Sequence, residues 1–222
     1  NTVLREGEIE QAVTPFLGPG RSIAEAEGAR AALEKAYQDA GYLTVFVDLP
    51  EQRIDEGVVR LQVLEGRVDR LAVIGSRYFS QGYIRDKVPE LAEGRVPNFN
   101  VVQAELAAVN RTPERRVQPV LRPGIVPGTV EAELKVDDKL PLSGSIELNN
   151  QHASDTDPYR LAATLRYDNL WQRDHSIALN AIVAPREMAQ SRVLSLNYTV
   201  PRDNGDTWVA YAVSSDSNVA TL

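Results

Sequence analysis

Two neighbouring stretches, GYLTVFVDLPEQ at residues 41–52 and GVVRLQVLEGRV at residues 57–68, decide the fold of the first third of this 222-residue chain. The first stretch is rich in β-branched and aromatic residues and closes at Pro50, and the second alternates apolar with polar side chains. Both patterns are typical of β-strands. Gly41 stands where a preceding helix would end in the left-handed conformation. The stretches therefore predict the end of a helix followed by two strands joined by a turn.

Two helical patterns precede these strands. Ser22 and Glu25 form a capping-box signature, in which side chains satisfy backbone N–H groups at the start of a helix. One stripe of that helix carries Arg30 together with the apolar positions Ile23, Ala26, Leu33 and Tyr37. A shorter pattern before it ends at a Gly-Pro-Gly sequence and has the apolar positions Ile9, Val13, Phe16 and Leu17. The first module is thus predicted as helix, helix, strand, strand.

The same order returns in the next part of the chain. A strand at residues 71–74 precedes a helix capped by Ser80 and a second helix capped by Asn98 or Asn100. Two further strands follow, at residues 117–121 and 129–136. This internal similarity predicts two βααββ modules of about 70 residues each rather than one larger domain.

The last part of the chain shows only the two-residue period of β-strands. One pattern places the apolar residues Leu161, Ala163, Leu165 and Tyr167 opposite the polar residues Arg160, Thr164, Arg166 and Asp168. Near the end of the chain, Val209, Tyr211 and Val213 are expected to continue the apolar face beside Trp208. A soluble sandwich and a transmembrane barrel both alternate in this way, and a barrel adds a polar lumen. The pattern alone leaves both architectures open.

Composition excludes several classes of protein. A net charge of −7 disfavours a nucleic-acid binder, since such proteins bind phosphate with clustered Lys and Arg. The absence of cysteine excludes disulfides, thiolate zinc sites and cysteine nucleophiles, and two histidines leave little material for another metal site. No apolar run approaches the roughly 20 residues of a membrane-spanning helix. No phosphate-binding loop, nucleophile elbow or carboxylate pair is evident, so we expect no enzyme, no cofactor, no metal and no nucleotide.

The two opening stretches resemble the POTRA domains of TpsB-type outer-membrane transporters, the translocators of two-partner secretion of the haemolysin secretion/activation kind. Their family pattern is GY-x-T-x-x-V-x-L-P-x-Q, then G-x-L-x-L-x-V-x-EG. Residues 120–124, followed by Pro127-Gly128, look like the end of a second POTRA domain. Residues 168–174 resemble the N-L-x-G-x-G-D turn between early barrel strands, with Gln172 and Arg173 where a glycine-rich turn is usual.

The resemblance implies an α+β chain with two tandem POTRA (βααββ) domains followed by antiparallel strands of a partial transmembrane β-barrel. The expected division is POTRA 1 at residues 1–67, with its first strand missing or truncated, POTRA 2 at residues 68–138, and barrel strands at residues 139–222. The implied location is the outer membrane of a Gram-negative bacterium with the POTRA domains in the periplasm. The implied partners are a secreted, unfolded TpsA-like protein and outer-membrane lipid. The barrel cannot close with these strands, so we expect either a truncated chain or further strands beyond Leu222.

POTRA domains usually bind clients by β-augmentation, in which an extended peptide adds to a strand edge. The candidate edge is residues 43–49 beside the helix at residues 22–40. The candidate client-binding residues are Tyr37, Tyr42, Val45, Phe46, Val47, Arg115, Arg116 and Arg122, and the candidate lumen residues are Arg160, Arg166 and Asp168. Tyr37 and Phe46 suit a hydrophobic core equally well, and the arginines suit a solvated surface.

Two other functions stay open at this point. A POTRA-bearing insertase that assembles outer-membrane proteins would share the same modules, usually in a longer array. A soluble protein- or carbohydrate-binding β-domain with two adaptor modules would share the alternating strands.

Overall fold

The computed structural model describes residues 3–54, 57–152, 158–186, 191–202 and 205–216. It divides the chain into two compact units. The first unit is Asn1–Arg77 with Gln81–Asp138, and the second is Tyr78–Ser80 with Lys139–Leu222. Within the described residues, no helix is long and apolar enough to cross a membrane.

The first repeat of the first unit, residues 3–66, begins with two helices. Helix α1 spans Glu6–Val13 and is followed by a short 3₁₀ turn, and α2 spans Ile23–Asp39. The predicted capping box is present, because the Ser22 N–H donates to the Glu25 carboxylate at 2.6 Å. Hydrogen bonds from Ser22 lower the pKa of Glu25. Gly41, with φ +98°, follows the end of α2 in the left-handed conformation, as predicted.

The strands of the first repeat are shorter than the sequence predicts. Strand β1 spans Val45–Asp48 and pairs antiparallel with β2, Gln62–Glu65. The predicted second strand starts at residue 58, whereas β2 starts at Gln62. Before β2, the Gln52 side chain makes hydrogen bonds with the Arg60 backbone of the kind that a neighbouring strand would make. Its Oε1 accepts from the Arg60 N–H at 2.8 Å and its Nε2 donates to the Arg60 carbonyl at 2.8 Å.

One position of the predicted apolar stripe on α2 is corrected. Ile23 is 70% exposed, whereas Ala29, Leu33 and Tyr37 are buried. The buried residues of α2 begin at Ala29, so the core reaches only the later turns of the helix. The core of this repeat consists of Leu33, Tyr37, Val45, Val47 and Val96.

The second repeat, residues 67–77 and 81–138, has the predicted order of elements. It contains β3 (Arg67–Ile74), α3 (Gln81–Asp86), a short 3₁₀ turn (Pro89–Leu91), α4 (Phe99–Val109), β4 (Arg115–Pro123) and β5 (Thr129–Asp138). The sheet order is β3-β5-β4, with β3 parallel and β4 antiparallel to the central strand. Of the two predicted caps for α4, Asn98 is the one used. The fully buried residues include Val68, Ile84, Leu91, Val102, Val117 and Leu134.

The second unit contains a five-stranded antiparallel sheet. Its strands, which neighbour one another in chain order, are β6 (Leu142–Asn149), β7 (Arg160–Leu170), β8 (His175–Val183), β9 (Arg192–Pro201) and β10 (Thr207–Asp216). Cross-strand partners share a face, so the register sorts the side chains into an apolar face and a polar face. The row Leu165, Leu179 and Leu196 belongs to the apolar face.

Strand β10 lies in the opposite phase to the one predicted. Val209, Tyr211 and Val213 pair with Thr199, Asn197 and Ser195, so they lie on the polar face. Trp208, Ala210 and Ala212 occupy the apolar face instead. The register pairs Pro201 with Thr207, and a shift of one residue exchanges the faces of a strand.

Candidate functional site

The inner face of the β1–β2 sheet is part of the core. Tyr37 and Val45 are fully buried and Val47 is 3% exposed. Burial raises the pKa of the Tyr37 phenol above its ordinary value, and the charge of Glu65 acts in the same direction. Tyr42 is half-buried and packs against the same core. The side chains of Tyr37, Val45 and Val47 therefore lie in the core, so a client could reach this strand only through its backbone.

The outer face of the same sheet carries an exposed apolar pair. Phe46 and Leu64 are cross-strand partners, 58% and 41% exposed. Leu43, just before β1, is 53% exposed. Of the two environments that the sequence allows for Phe46, the structure shows the surface one.

The free edge of β1 is covered by side chains from α2. The Val47 N–H donates to the Glu34 carboxylate at 3.1 Å, and the Val47 carbonyl accepts from the Arg30 guanidinium at 3.2 Å. Arg30 and Glu34 also form an ion pair at 3.3 Å. These two side chains, named here the edge guard, occupy the backbone groups that an added strand would use. Sequence reasoning missed this role, although Arg30 on an apolar stripe was its signal.

The outer edge of β2 pairs with no strand among the described residues. In the second repeat, the matching edge of the last strand, β5, is covered by the parallel strand β3. The two repeats thus share the same strand arrangement, except that no described strand pairs with the outer edge of β2 in the first repeat.

The basic residues of β4 do not form a patch. Arg115 is 3% exposed, and its Nε donates to the Val109 carbonyl at 3.1 Å. It also lies over the Tyr83 ring, 5.7 Å from the centroid. Arg115 therefore caps the carboxyl end of α4, which corrects its prediction as a client contact. Arg116 and Arg122 are exposed on the other face of β4, and Arg122 lies 3.7 Å from Glu133.

The polar face of the second unit carries the three predicted lumen residues. Arg166 and Asp168 form an ion pair at 2.8 Å. Arg160 lies on the same face of β7, six residues before Arg166, and donates to the Tyr159 carbonyl. A hydrogen-bonded row crosses the face beside them, from Thr164 to Asn180 at 3.0 Å and from Asn180 to Ser195 at 3.2 Å.

The turn between β7 and β8 is held in a left-handed backbone by side-chain hydrogen bonds. Asn169, Trp171, Gln172 and Asp174 all have positive φ, from 56° to 86°. The Asn169 and Gln172 amides both donate to the Tyr78 carbonyl, at 3.2 and 3.1 Å, and Gln172 Oε1 accepts from the Ser80 N–H at 2.8 Å. Positive φ explains why glycine is usual in this turn. Here amide hydrogen bonds within the second unit offset the strain.

Comparison with known proteins places these features in context. Residues 1–66 match the family "POTRA domain, ShlB-type". The chain is 28% identical over 135 residues to outer membrane transporter CdiB of Dickeya dadantii, covering 61% of this chain and 24% of that protein. It is 26% identical over 168 residues to outer membrane transporter CdiB of Escherichia coli O6:K15:H31, covering 76% and 28%.

A solved structure, CdiB from Escherichia coli, superposes on 96% of this chain and 44% of its own, with a TM-score of 0.71 and 20% identity. The chain spans about a quarter of the length of the curated relatives named above. The predicted fold class is confirmed as α+β, with POTRA-like repeats followed by antiparallel strands that form part of a barrel.

Proposed function

We propose a function for this chain from its resemblance to the TpsB-type transporters. The ShlB-type POTRA match and the likeness to CdiB, in sequence and in fold, support that resemblance. The protein is an outer-membrane translocator of two-partner secretion with its POTRA domains in the periplasm. The three-part division at residues 67/68 and 138/139 belongs to this proposal. So does the absence of catalytic activity.

The observation that carries the proposal is the exposed pair Phe46–Leu64 on a sheet whose other face is a core. An extended polypeptide that adds to this sheet would place every second side chain beside the pair. The resemblance to TpsB-type transporters implies that the client is a secreted, TpsA-like protein. The exposed pair favours an unfolded form of it, recognised through its backbone and through alternating apolar side chains.

We assign the client to the edge of β1. In the second repeat, the first strand, β3, pairs with the edge of β5 that corresponds to the outer edge of β2. By the same arrangement, the first strand of POTRA 1 would pair with β2, which leaves the edge of β1 for a partner. A client strand would displace Arg30 and Glu34 from Val47 and replace their two hydrogen bonds with its own. Since one set of hydrogen bonds is exchanged for another, the net gain is small and binding is reversible. Reversible binding suits a protein that must pass its client onward.

The second unit supplies strands of the pore. Its apolar face is exposed, with Ile146 at 79% and Leu148 at 62%, and faces outer-membrane lipid in this proposal. A soluble β-domain would instead bury such a face in a core. Arg160, Arg166 and Asp168 line the lumen on the opposite face. Folding of the client outside the cell supplies the energy, with no nucleotide involved.

Site-specific photo-crosslinking in cells that make the full-length transporter and its secreted partner tests the docking site. A photoreactive residue at Phe46 is expected to crosslink to the partner during secretion. The same residue at Lys35, whose side chain is 70% exposed on α2, is the matched control and is expected to give little product. Normal secretion without a crosslink at position 46, or equal crosslinking at both positions, would overturn this docking site.

A further inference from the structure

We propose that the two repeats of the first unit move as one rigid body, locked by Asn98 against the end of α2. This inference concerns the mechanics of the unit and does not depend on the identity of a client. Three observations carry it: the residue that connects the repeats, a core that crosses the boundary, and one amide side chain that joins two helices.

The connection between the repeats is a single pinned residue. Strand β2 ends at Glu65, β3 begins at Arg67, and only Gly66 lies between them. The Gly66 N–H donates to the Thr44 carbonyl at 3.0 Å, and the Gly66 carbonyl accepts from Thr44 Oγ1 at 2.9 Å. A Cβ at position 66 would clash with the Thr44 carbonyl oxygen. The residue that would act as a hinge is therefore hydrogen-bonded on both sides.

The hydrophobic core of the first repeat includes a residue of the second. Val96 is 7% exposed and packs in the cluster of Leu33, Tyr37, Val45 and Val47. The segment that carries Val96 is also bonded to β3, because the Val68 carbonyl accepts from the Gly94 N–H at 2.7 Å and the Val68 N–H donates to the Arg95 carbonyl at 2.8 Å. Rotation of one repeat against the other would pull Val96 out of this core.

Asn98 joins the start of α4 to the end of α2. Its Oδ1 accepts from the Asn100 N–H at 3.0 Å and caps α4, while its Nδ2 donates to the Ala40 carbonyl at 3.0 Å. Next to it, the Phe99 N–H donates to the Gly41 carbonyl at 2.8 Å. A Cβ on Gly41 would lie 2.5 Å from Asn98 Oδ1, so glycine serves this contact as well as the positive φ. Backbone groups at the end of α2 and at the start of α4 thereby find hydrogen-bond partners in the same small contact.

Spin-label distance measurements on the full-length protein test the rigid body. Residues 1–222 contain no cysteine, so within them Lys35→Cys on α2 and Arg122→Cys on β4 place one label on each repeat. The side chains at these positions are 70% and 58% exposed. We expect one narrow distance distribution in the otherwise unchanged protein, and a distribution at least twice as broad after Asn98→Ala.

The matched control is Asn110→Ala. Asn110 also makes two hydrogen bonds, to the backbone of Val117 at 2.9 and 2.7 Å, but both lie inside the second repeat. Its loss is expected to leave the distribution narrow. If Asn98→Ala does not fold, Val96→Ala weakens the same boundary by removing two methyl groups. A broad distribution in the unchanged protein, or a narrow one in both boundary variants, would overturn the rigid body.

Discussion

The Gln52 side chain makes the two backbone hydrogen bonds that a neighbouring strand would otherwise make with Arg60. Its amide pairs with the N–H and the carbonyl of Arg60, and its Nε2 lies 3.3 Å from the Pro50 carbonyl. This explains the physical role of the last position in the stretch at residues 41–52. The side chain closes the loop between β1 and β2, so the β1–β2 sheet keeps its shape although both strands are short.

We expect Gln52→Ala to lower the free energy of unfolding by about 1 kcal/mol, since it leaves both Arg60 groups to water. Gln52→Glu keeps the acceptor for the Arg60 N–H but turns a carboxylate oxygen toward the Arg60 and Pro50 carbonyls, so its loss should be at least as large. Urea unfolding followed by circular dichroism measures both. Equal stability of Gln52→Ala and the unchanged protein would show that the loop closes without this side chain.

Glu105 gives the first unit a pH dependence. Its carboxylate accepts from the Glu90 N–H at 3.2 Å, and burial raises its pKa above the ordinary value of 4.5. Because the folded state holds this proton more tightly than the unfolded state, the protonated carboxyl stabilises the fold below pH 4.5. That contribution is lost as the pH rises through the pKa of the folded state.

Glu105→Gln should remove this loss and keep the acceptor for Glu90. We therefore expect the variant to gain stability relative to the unchanged protein as the pH rises from about 4.5 to neutral. Unfolding free energies measured across this range check the sign. A stability difference that stays constant with pH would contradict the assignment to Glu105.

At the scale of elements, the edge guard keeps β1 from pairing with other strands. Unpaired strand edges invite association with other chains, and natural proteins cover them. Arg30 and Glu34 do so with side chains that α2 supplies one helical turn apart. A covered edge that opens by side-chain motion alone can stay closed until a client arrives.

Glu34→Ala should make the Val47 amide exchange its hydrogen several-fold faster, since its acceptor is lost. Glu34→Gln retains an acceptor oxygen and should preserve most of the protection, which makes it the control. Hydrogen exchange followed by mass spectrometry, over a peptide containing β1, reads this directly. Unchanged exchange in Glu34→Ala would mean that another group protects Val47.

Elements set by local chemistry could be predicted from the sequence, and those set by distant contacts could not. The capping box of α2, the turn at Gly41 and the Asn98 cap depend on residues a few positions apart. The burial of Arg115 depends on its contacts with α4 and Tyr83. The phase of β10 depends on its pairing with β9, which the alternation of side chains alone does not reveal. At the candidate site, the sequence predicts the strand but leaves Phe46 open between the core and the surface. The edge guard depends on the position of α2 over β1, which the sequence does not give.

At the scale of the whole molecule, the proposed pore would let ions cross a membrane. Full-length protein reconstituted in a planar bilayer should conduct ions, since its lumen carries polar and charged side chains. Arg166→Ala should also shift the cation-to-anion selectivity toward cations, because it leaves Asp168 without its ion-pair partner. Current–voltage curves in a salt gradient measure both. A channel that stays silent at all voltages would contradict a pore.

The shared core of the two repeats has a consequence for how chains with this pair of repeats diversify. A recombination point at residue 66 would separate Val96 from Leu33, Tyr37 and Val45, so a chimera joined there would inherit a mismatched interior. A crossover near residue 138, where the first unit ends, keeps that interior intact. Inheritance should therefore favour exchange of the two repeats as a pair, and engineers who wish to exchange one repeat should graft the pair.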